Sequence, residues 1–441
     1  MMRHHYGLTA AAVLAVCLLT GPAATAGLED YVKRDDGAFA WELTDQREVG
    51  GGQVSRIRLT SQKWQDIVWQ HRLDVYEPPD AKRRDAMLLF ITGGGHESKP
   101  KPEDDLTGLA LARACGAPVA VLHQVPNQPL LGGKTEDTLI AETFVRYLDT
   151  KDDTWPLLFP MVKSAVRAMD ALQAWAKKSE RPAVGTFVVS GASKRGWTTW
   201  LTGAVDSRVI AIAPMVIDTL NMKAQRAHSL EVWGKFSEQI DDYTSRGLTE
   251  KYDDPDGERL WKMVDPYTYR DRLMLPKLLI NGTNDRYWTL DALNVYWGDL
   301  KGPKHVVYLP NAGHNLAVNR HYAVNGVGAI FRHAVGKREL PEVSWTHADD
   351  EDGDLLLHVQ VKAAPKSAKV WVARSDTRDF RDSVWESALL VAREPTLRAE
   401  VARPSKGFVA LFGDLEYEID GLPFHLSTQI RQTGAKDPSA R

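Results

Sequence analysis

The sequence predicts an α/β protein: a mostly parallel, doubly wound sheet followed by a small all-β module. Three observations carry that prediction. Short, continuously apolar runs recur as far as Leu309, as strands buried on both faces of a parallel sheet require. Amphipathic helical patterns alternate with them, and repeated strand, helix, strand order builds a parallel sheet covered on both sides. From about Pro341 the helical period is lost, and strand-like runs separated by polar or Gly/Pro turns take over.

The elements follow in order. Arg3, His4 and His5 precede an apolar run from Ala10 to Leu19, and Ala24-Thr25-Ala26 supplies the small residues of a signal-peptidase site. That run falls short of the roughly 20 residues needed to span a bilayer, so residues 1–26 are expected to be a secretory signal cleaved near Ala26-Gly27. An exported chain with no stable membrane anchor is the expectation. Arg56 to Leu59 and Ile67 to Tyr76 alternate with period two, predicting an antiparallel pair with one covered face. The buried strands are Met87–Ile91, Pro118–Leu122, Thr186–Val189, Val209–Ile212, Lys277–Ile280 and Val306–Leu309. Helical patterns lie at Leu106–Ala114, Leu139–Leu148, Met161–Trp175, Trp197–Ala204 and Leu290–Leu300. Residues 217–275, rich in aromatics from Trp233 to Tyr269, fall where an inserted cap would cover a site. The first domain is expected over 27–338, after a helix ending near Val335-Gly336. The second, over 341–435, has strand-like runs at Val370–Val372, Leu389–Val391, Phe408–Leu411 and Phe424–Ile430, suggesting a sandwich of immunoglobulin or fibronectin type. Trp345, Trp371 and Trp385 read as its core.

Composition narrows the function classes. With 441 residues, a formal charge of −3, 26% charged and 43% hydrophobic residues, the chain is a soluble globular protein by type. No basic stripe offers a footprint for nucleic acid. Two cysteines, Cys17 and Cys115, exclude a disulfide scaffold, a zinc ribbon and an iron–sulfur cluster. Cys115 ends an apolar helical pattern and reads as a buried structural thiol. There is no phosphate-binding loop, no H-E-x-x-H and no dinucleotide fingerprint. Neither cofactor nor metal is therefore expected, and the acidic run Asp349–Asp354 reads as a solvated turn. Nothing in the pattern signals an oligomeric state.

In an open parallel sheet, function collects at the carboxyl ends of the strands. After Val188-Val189 comes Ser190-Gly191-Ala192-Ser193-Lys194-Arg195-Gly196-Trp197, a strand turning sharply through Ser193 into a helix. This is close to the G-x-S-x-G elbow of α/β-hydrolases, with the second glycine one place later and Arg195 in its stead. The spacing is similar to that of glucuronoyl esterases. A serine hydroxyl needs a histidine to take its proton and a carboxylate to fix the imidazole tautomer, in the chain order Ser, acid, His. Asp285 follows one apolar strand and His314 the next, so Ser193, Asp285 and His314 are the expected triad, with Asp218 as the rival acid. The N–H of Lys194 is the first expected oxyanion donor. The loop Thr92-Gly93-Gly94-Gly95-His96 offers a second through Gly94 and Gly95. Arg195, His96 and Trp288 are expected to meet substrate, while a salt bridge is the expected role for at least one of Lys194 and Arg195.

Gly191 to Thr198, Ala213 to Asp218, Asn281 to Asp285, Leu309 to His314, Asp379-Phe380-Arg381 and Leu426 to Ile430 together resemble the PhoPQ-activated pathogenicity-related protein family. That resemblance implies an exported α/β-hydrolase-like domain with a C-terminal β-module, in a family named for regulation and virulence that includes secreted signalling proteins. The expected activity is a serine hydrolase on a small-molecule, peptide or sugar-ester substrate. The alternatives are a signalling protein built on the same scaffold without turnover, and a carbohydrate esterase of the glucuronoyl-esterase type.

Overall fold

Alternating burial organises the main sheet. The computed structural model describes residues 27–351, 353–393 and 396–435, so the expected leader lies outside the described residues. A short helix α1 (Leu28–Lys33) precedes β1 (Ala40–Val49), β2 (Gly52–Trp64), β3 (Ile67–Glu77) and β4 (Ala86–Ile91). Then come α2 (Pro102–Cys115), β5 (Val119–Leu122), α3 (Glu136–Thr150), α4 (Leu158–Lys178), β6 (Thr186–Ala192), α5 (Lys194–Val205) and β7 (Val209–Met215). The cap holds α6 (Met222–Trp233), α7 (Asp241–Thr244) and α8 (Pro255–Val264); β8 (Lys277–Gly282), β9 (Lys304–Leu309) and α9 (Arg320–Gly336) follow. The nine strands run in the order β1-β2-β3-β5-β4-β6-β7-β8-β9, antiparallel from β1 to β5 and parallel from β5 to β9.

Successive side chains of a strand face opposite ways. Thus Met87, Leu89 and Ile91 join one core with α3, α4, α5 and the cap, while Ala86 and Leu88 join the other with α2 and α9. This is the α/β-hydrolase arrangement, a doubly wound and mostly parallel sheet with an antiparallel edge.

Two sequence expectations change. The antiparallel edge has three strands: β1, AWELTDQREV, is the outermost, with Trp41, Leu43 and Val49 half-buried against the core and the rest mostly polar, and that polar composition hid it. The helix expected over Leu290–Leu300 is instead two 3₁₀ turns, Ala292–Val295 and Trp297–Asp299. Between them Tyr296 takes φ −135° and turns its hydroxyl onto Asp218, while Asn294 reaches the carbonyl of Ile430. Three-dimensional partners on different sides override the local helical period.

After α9 the chain forms two antiparallel sheets. One is ordered β10 (Val343–Asp349), β11 (Leu355–Val361), β15 (Thr396–Val401), β14 (Val391–Arg393). The other is ordered β13 (Glu386–Leu389), β12 (Ser367–Ser375), β16 (Phe408–Ile419), β17 (Leu422–Ser427), with β18 (Arg431–Gly434) also paired to β16. The expected run Leu389–Val391 is divided: the buried Leu390 is where the chain passes from one sheet to the other. Of the three tryptophans expected in this core, Trp385 is buried, whereas Trp345 and Trp371 are half-buried.

Candidate active site

Ser193 stands where β6 gives way to α5, at φ 59° and ψ −124°. That strained backbone is held by the Ser193 N–H donating to Met215 O at 2.9 Å. Both motif glycines are required by close approach. A Cβ at Gly191 would lie 2.9 Å from Ile91 O and from Arg195 O; one at Gly196 would lie 2.7 Å from Met215 O. The displaced second glycine thus performs the packing that the elbow needs, one residue later.

The loops after β8 and β9 bring the other two residues. Gly282 lets them touch, since a Cβ there would fall 2.4 Å from Ala312 O. Asn284 N–H donates to Ala312 O, and Asn311 N–H to Thr283 Oγ1, each at 2.9 Å. The result is a continuous chain: Ser193 Oγ lies 2.9 Å from His314 Nε2, and His314 Nδ1 lies 2.8 Å from Asp285 Oδ2. Asp285 is buried and its other oxygen accepts from Tyr287 N–H, whereas Ser193 and His314 are half-buried. The Tyr287 ring lies 4.2 Å from the imidazole and Trp288 5.9 Å, roofing it. Asp218 is fully buried and bonded by Tyr296; burial pushes its carboxyl up to about 7. The imidazole's carboxylate partner is Asp285.

A cavity of about 90 Å³ opens beside Ser193. Its wall joins Trp197 and Trp288 to the cap residues Tyr243, Tyr252 and Trp261, so the cap's aromatics both line the cavity and pack the cap down. Tyr252 stacks on Trp261 at 4.6 Å, and Trp197 Nε1 donates to Val264 O at 2.6 Å.

One polar group in this wall has no counterpart in the sequence reading. Asp137, in the first turn of α3, accepts from Tyr243 (2.9 Å) and Tyr287 (3.2 Å) and pairs with Lys194 Nζ at 2.6 Å. Burial alone would lower the Lys194 ammonium's pKa, but Asp137 outweighs it and raises it. Glu136-Asp137 faces Lys194-Arg195 as a matched pair of dipeptides. No local pattern links positions so far apart.

Arg195 does not reach the cavity. Its guanidinium makes two 2.7 Å bonds to Glu136 and donates to Val125 O. Burial would raise the Glu136 carboxyl, yet the paired arginine holds it down at about 2. Glycine at position 93 serves this arginine, because a Cβ there would lie 2.4 Å from Arg195 Nη2. Gly94 and Gly95 meet only ordinary contacts and lie outside the cavity wall. His96 is exposed and bonds Gln128 O at 3.0 Å, lining a separate groove with Arg72 and Asn127. Of the expected substrate contacts, Trp288 alone is in the wall. Cys115 is free and buried, and burial raises its thiol. In the acidic turn, Asp350 and Asp354 gather with Glu400, but Asp350 and Asp354 accept from the backbone of Asp354 and Arg403.

The chain is 30% identical over 428 residues to "Autocrine proliferation repressor protein A" of Dictyostelium discoideum, covering 88% of this chain and 85% of that one. Among solved structures it is similar to acetyl xylan esterase 1 from Thermoanaerobacterium sp. (15% identity, TM-score 0.45, 65% of this chain and 88% of that one). It is also similar to a glucuronoyl esterase from Solibacter usitatus (12% identity, TM-score 0.42, 68% and 87%). The PhoPQ-activated pathogenicity-related protein family matches residues 28–381, and the chain belongs to that family.

Proposed function

We propose that this protein is an exported serine hydrolase that cleaves an ester or amide through Ser193, His314 and Asp285. The observation that carries this reading is the hydrogen-bonded chain from Ser193 through His314 to Asp285 at the mouth of an aromatic cavity. Asp285 holds the Nδ1–H tautomer, leaving Nε2 free to accept the Ser193 proton as Oγ attacks the substrate carbonyl. The N–H of Lys194, at the start of α5, has no partner one turn back and receives the developing oxyanion. His314 then gives its proton to the leaving oxygen or nitrogen, and the acyl group stays on Ser193. Water, deprotonated by His314, attacks that acyl-enzyme; the acid departs and Ser193 regains its proton. The largely aromatic wall suits an apolar or aromatic group next to the scissile bond, and the Lys194–Asp137 pair supplies its polar edge.

A fluorophosphonate probe tests the reading: labelling of the folded wild type, abolished in Ser193→Ala, is expected. Failure of the native protein to label overturns it. The name of the Dictyostelium relative favours a second reading, a secreted regulatory protein on the same scaffold, and that reading predicts no labelling.

A further inference from the structure

We propose that the β12–β13 loop of the C-terminal module, Asp379–Trp385, is a clasp that holds the acid and base loops in register and fastens the cap over them. The proposal rests on the serine-hydrolase reading for its catalytic consequence, though not for its geometry.

The loop is rigidly built. Phe380 and Trp385 are buried, and Trp385 packs edge-on against Phe412, which in turn meets Tyr308 of β9. Ser375 Oγ donates to Asp379 O and Ser383 Oγ to Arg374 O, closing the loop on its own strand. Its main chain is thereby presented outward, toward two asparagines of the site. Asn284, next to Asp285, donates through Nδ2 to Arg381 O (3.2 Å) and Ser383 O (2.8 Å). Asn311, three residues before His314, donates to Trp385 O at 3.0 Å and accepts from Trp385 N at 2.8 Å, pairing as a strand would. The two are joined through Thr283, whose Oγ1 donates to Asn284 Oδ1 and accepts from Asn311 N–H.

The opposite side of the clasp grips the cap. Asp379 orients the Arg381 guanidinium, which pairs with Glu238 at 3.0 Å and stands 4.4 Å over the Trp233 ring. Asp382 pairs with Arg286 of the acid loop at 2.7 Å, and Arg378, the residue just before the clasp, pairs with Glu231 of α6 at 3.0 Å. One seven-residue segment therefore touches the acid loop, the base loop and the cap. Asn284, Asn311 and Arg381 are positioning residues. A reacting group displaced by about 1 Å loses roughly a hundredfold in rate, so the asparagines should govern kcat and the arginine KM.

The test uses the full chain with Asn284→Ala, Asn311→Gly and Arg381→Ala. Asn311 has φ 60°, where glycine is at ease, so Asn311→Gly removes the amide without straining the turn. With p-nitrophenyl acetate, the asparagine variants should lose about tenfold or more in kcat with KM moved less than about twofold, while Arg381→Ala should raise KM. Hydrogen exchange of peptides covering 282–288 and 310–317 should accelerate in the asparagine variants and stay unchanged in α4. Unchanged exchange in those loops, or unchanged kcat in an active wild type, overturns the clasp. A wild type that hydrolyses nothing, yet whose loops respond as expected, supports the clasp and removes the hydrolase reading alone.

Discussion

At the scale of single residues, the two carboxylates that follow neighbouring strands are separated by their surroundings. Asp285 is bonded to His314 and to the Tyr287 N–H; Asp218 is stripped of water, with the Tyr296 hydroxyl upon it. Replacing Asp285 by Asn presents the wrong imidazole tautomer, and kcat should fall by about four orders of magnitude. Asp218→Asn should leave kcat within about threefold, because it breaks no bond to His314 and Asn still accepts from Tyr296. Its effect belongs to stability. A carboxyl raised from 3.8 to about 7 favours the folded state while protonated and loses that advantage as pH climbs through this window. Each unit is worth on the order of 1.4 kcal/mol. Asp218→Asn should therefore gain in Tm over wild type between about pH 4 and pH 8; a constant difference across that range contradicts the assignment. The order of Ser193, Asp285 and His314 was legible because each follows an apolar strand. The contact of Arg195 with Gly93 was not, because it joins the first turn of α5 to the loop after β4, segments far apart in the chain.

At the scale of elements, the elbow depends on a helix crossing a strand without intervening side chains. Gly196 faces Met215 O and Ile217, and a methyl there must push α5 away from β7. Overpacking of this kind costs about 1–3 kcal/mol, and at this position it also displaces Ser193. Gly196→Ala should lower the midpoint of urea unfolding and abolish fluorophosphonate labelling. Gly298→Ala is the control, since its Cβ meets nothing within 4 Å; it should shift stability by no more than about 1 kcal/mol. Equal effects of the two substitutions would refute the close-approach account. The same scale explains the misread segments. β1 is an outer edge whose covered face holds only the part-buried Trp41, Leu43, Arg47 and Val49, interrupted by the polar run Thr44–Gln46, so its apolar alternation was too sparse to mark it. Leu290–Leu300 carries a helical pattern, but its side chains serve Asp218, His228 and Ile430 in different directions.

At the scale of the whole molecule, α9 is shared between the two parts of the chain. Arg332 donates to Ala114 O on one side and to Ile419 O and Asp420 O on the other. Tyr322 stacks on His425 at 3.6 Å, and the N–H of Tyr308 in β9 donates to Ser427 Oγ. With cores continuous across this seam, calorimetry should record one cooperative transition; two resolved peaks would show that the parts unfold independently. Acid should weaken the whole. Burial holds the His71 imidazole at about 4, so the stability it contributes above its ordinary 6.5 is lost as pH falls between those values. Glu136, held at about 2, gives up its share below 4.5. Sequence alone determined the alternation of buried strands and helices, the serine turn and the identities of the candidate nucleophile, acid and base, because each is written in local spacing and polarity. The tertiary structure decided which carboxylate meets the histidine, that Asp137 neutralises Lys194, and that Asp379–Trp385 lies against both site loops and the cap. Those contacts join segments distant in the chain, and their partners are chosen by burial and packing, which no local pattern records.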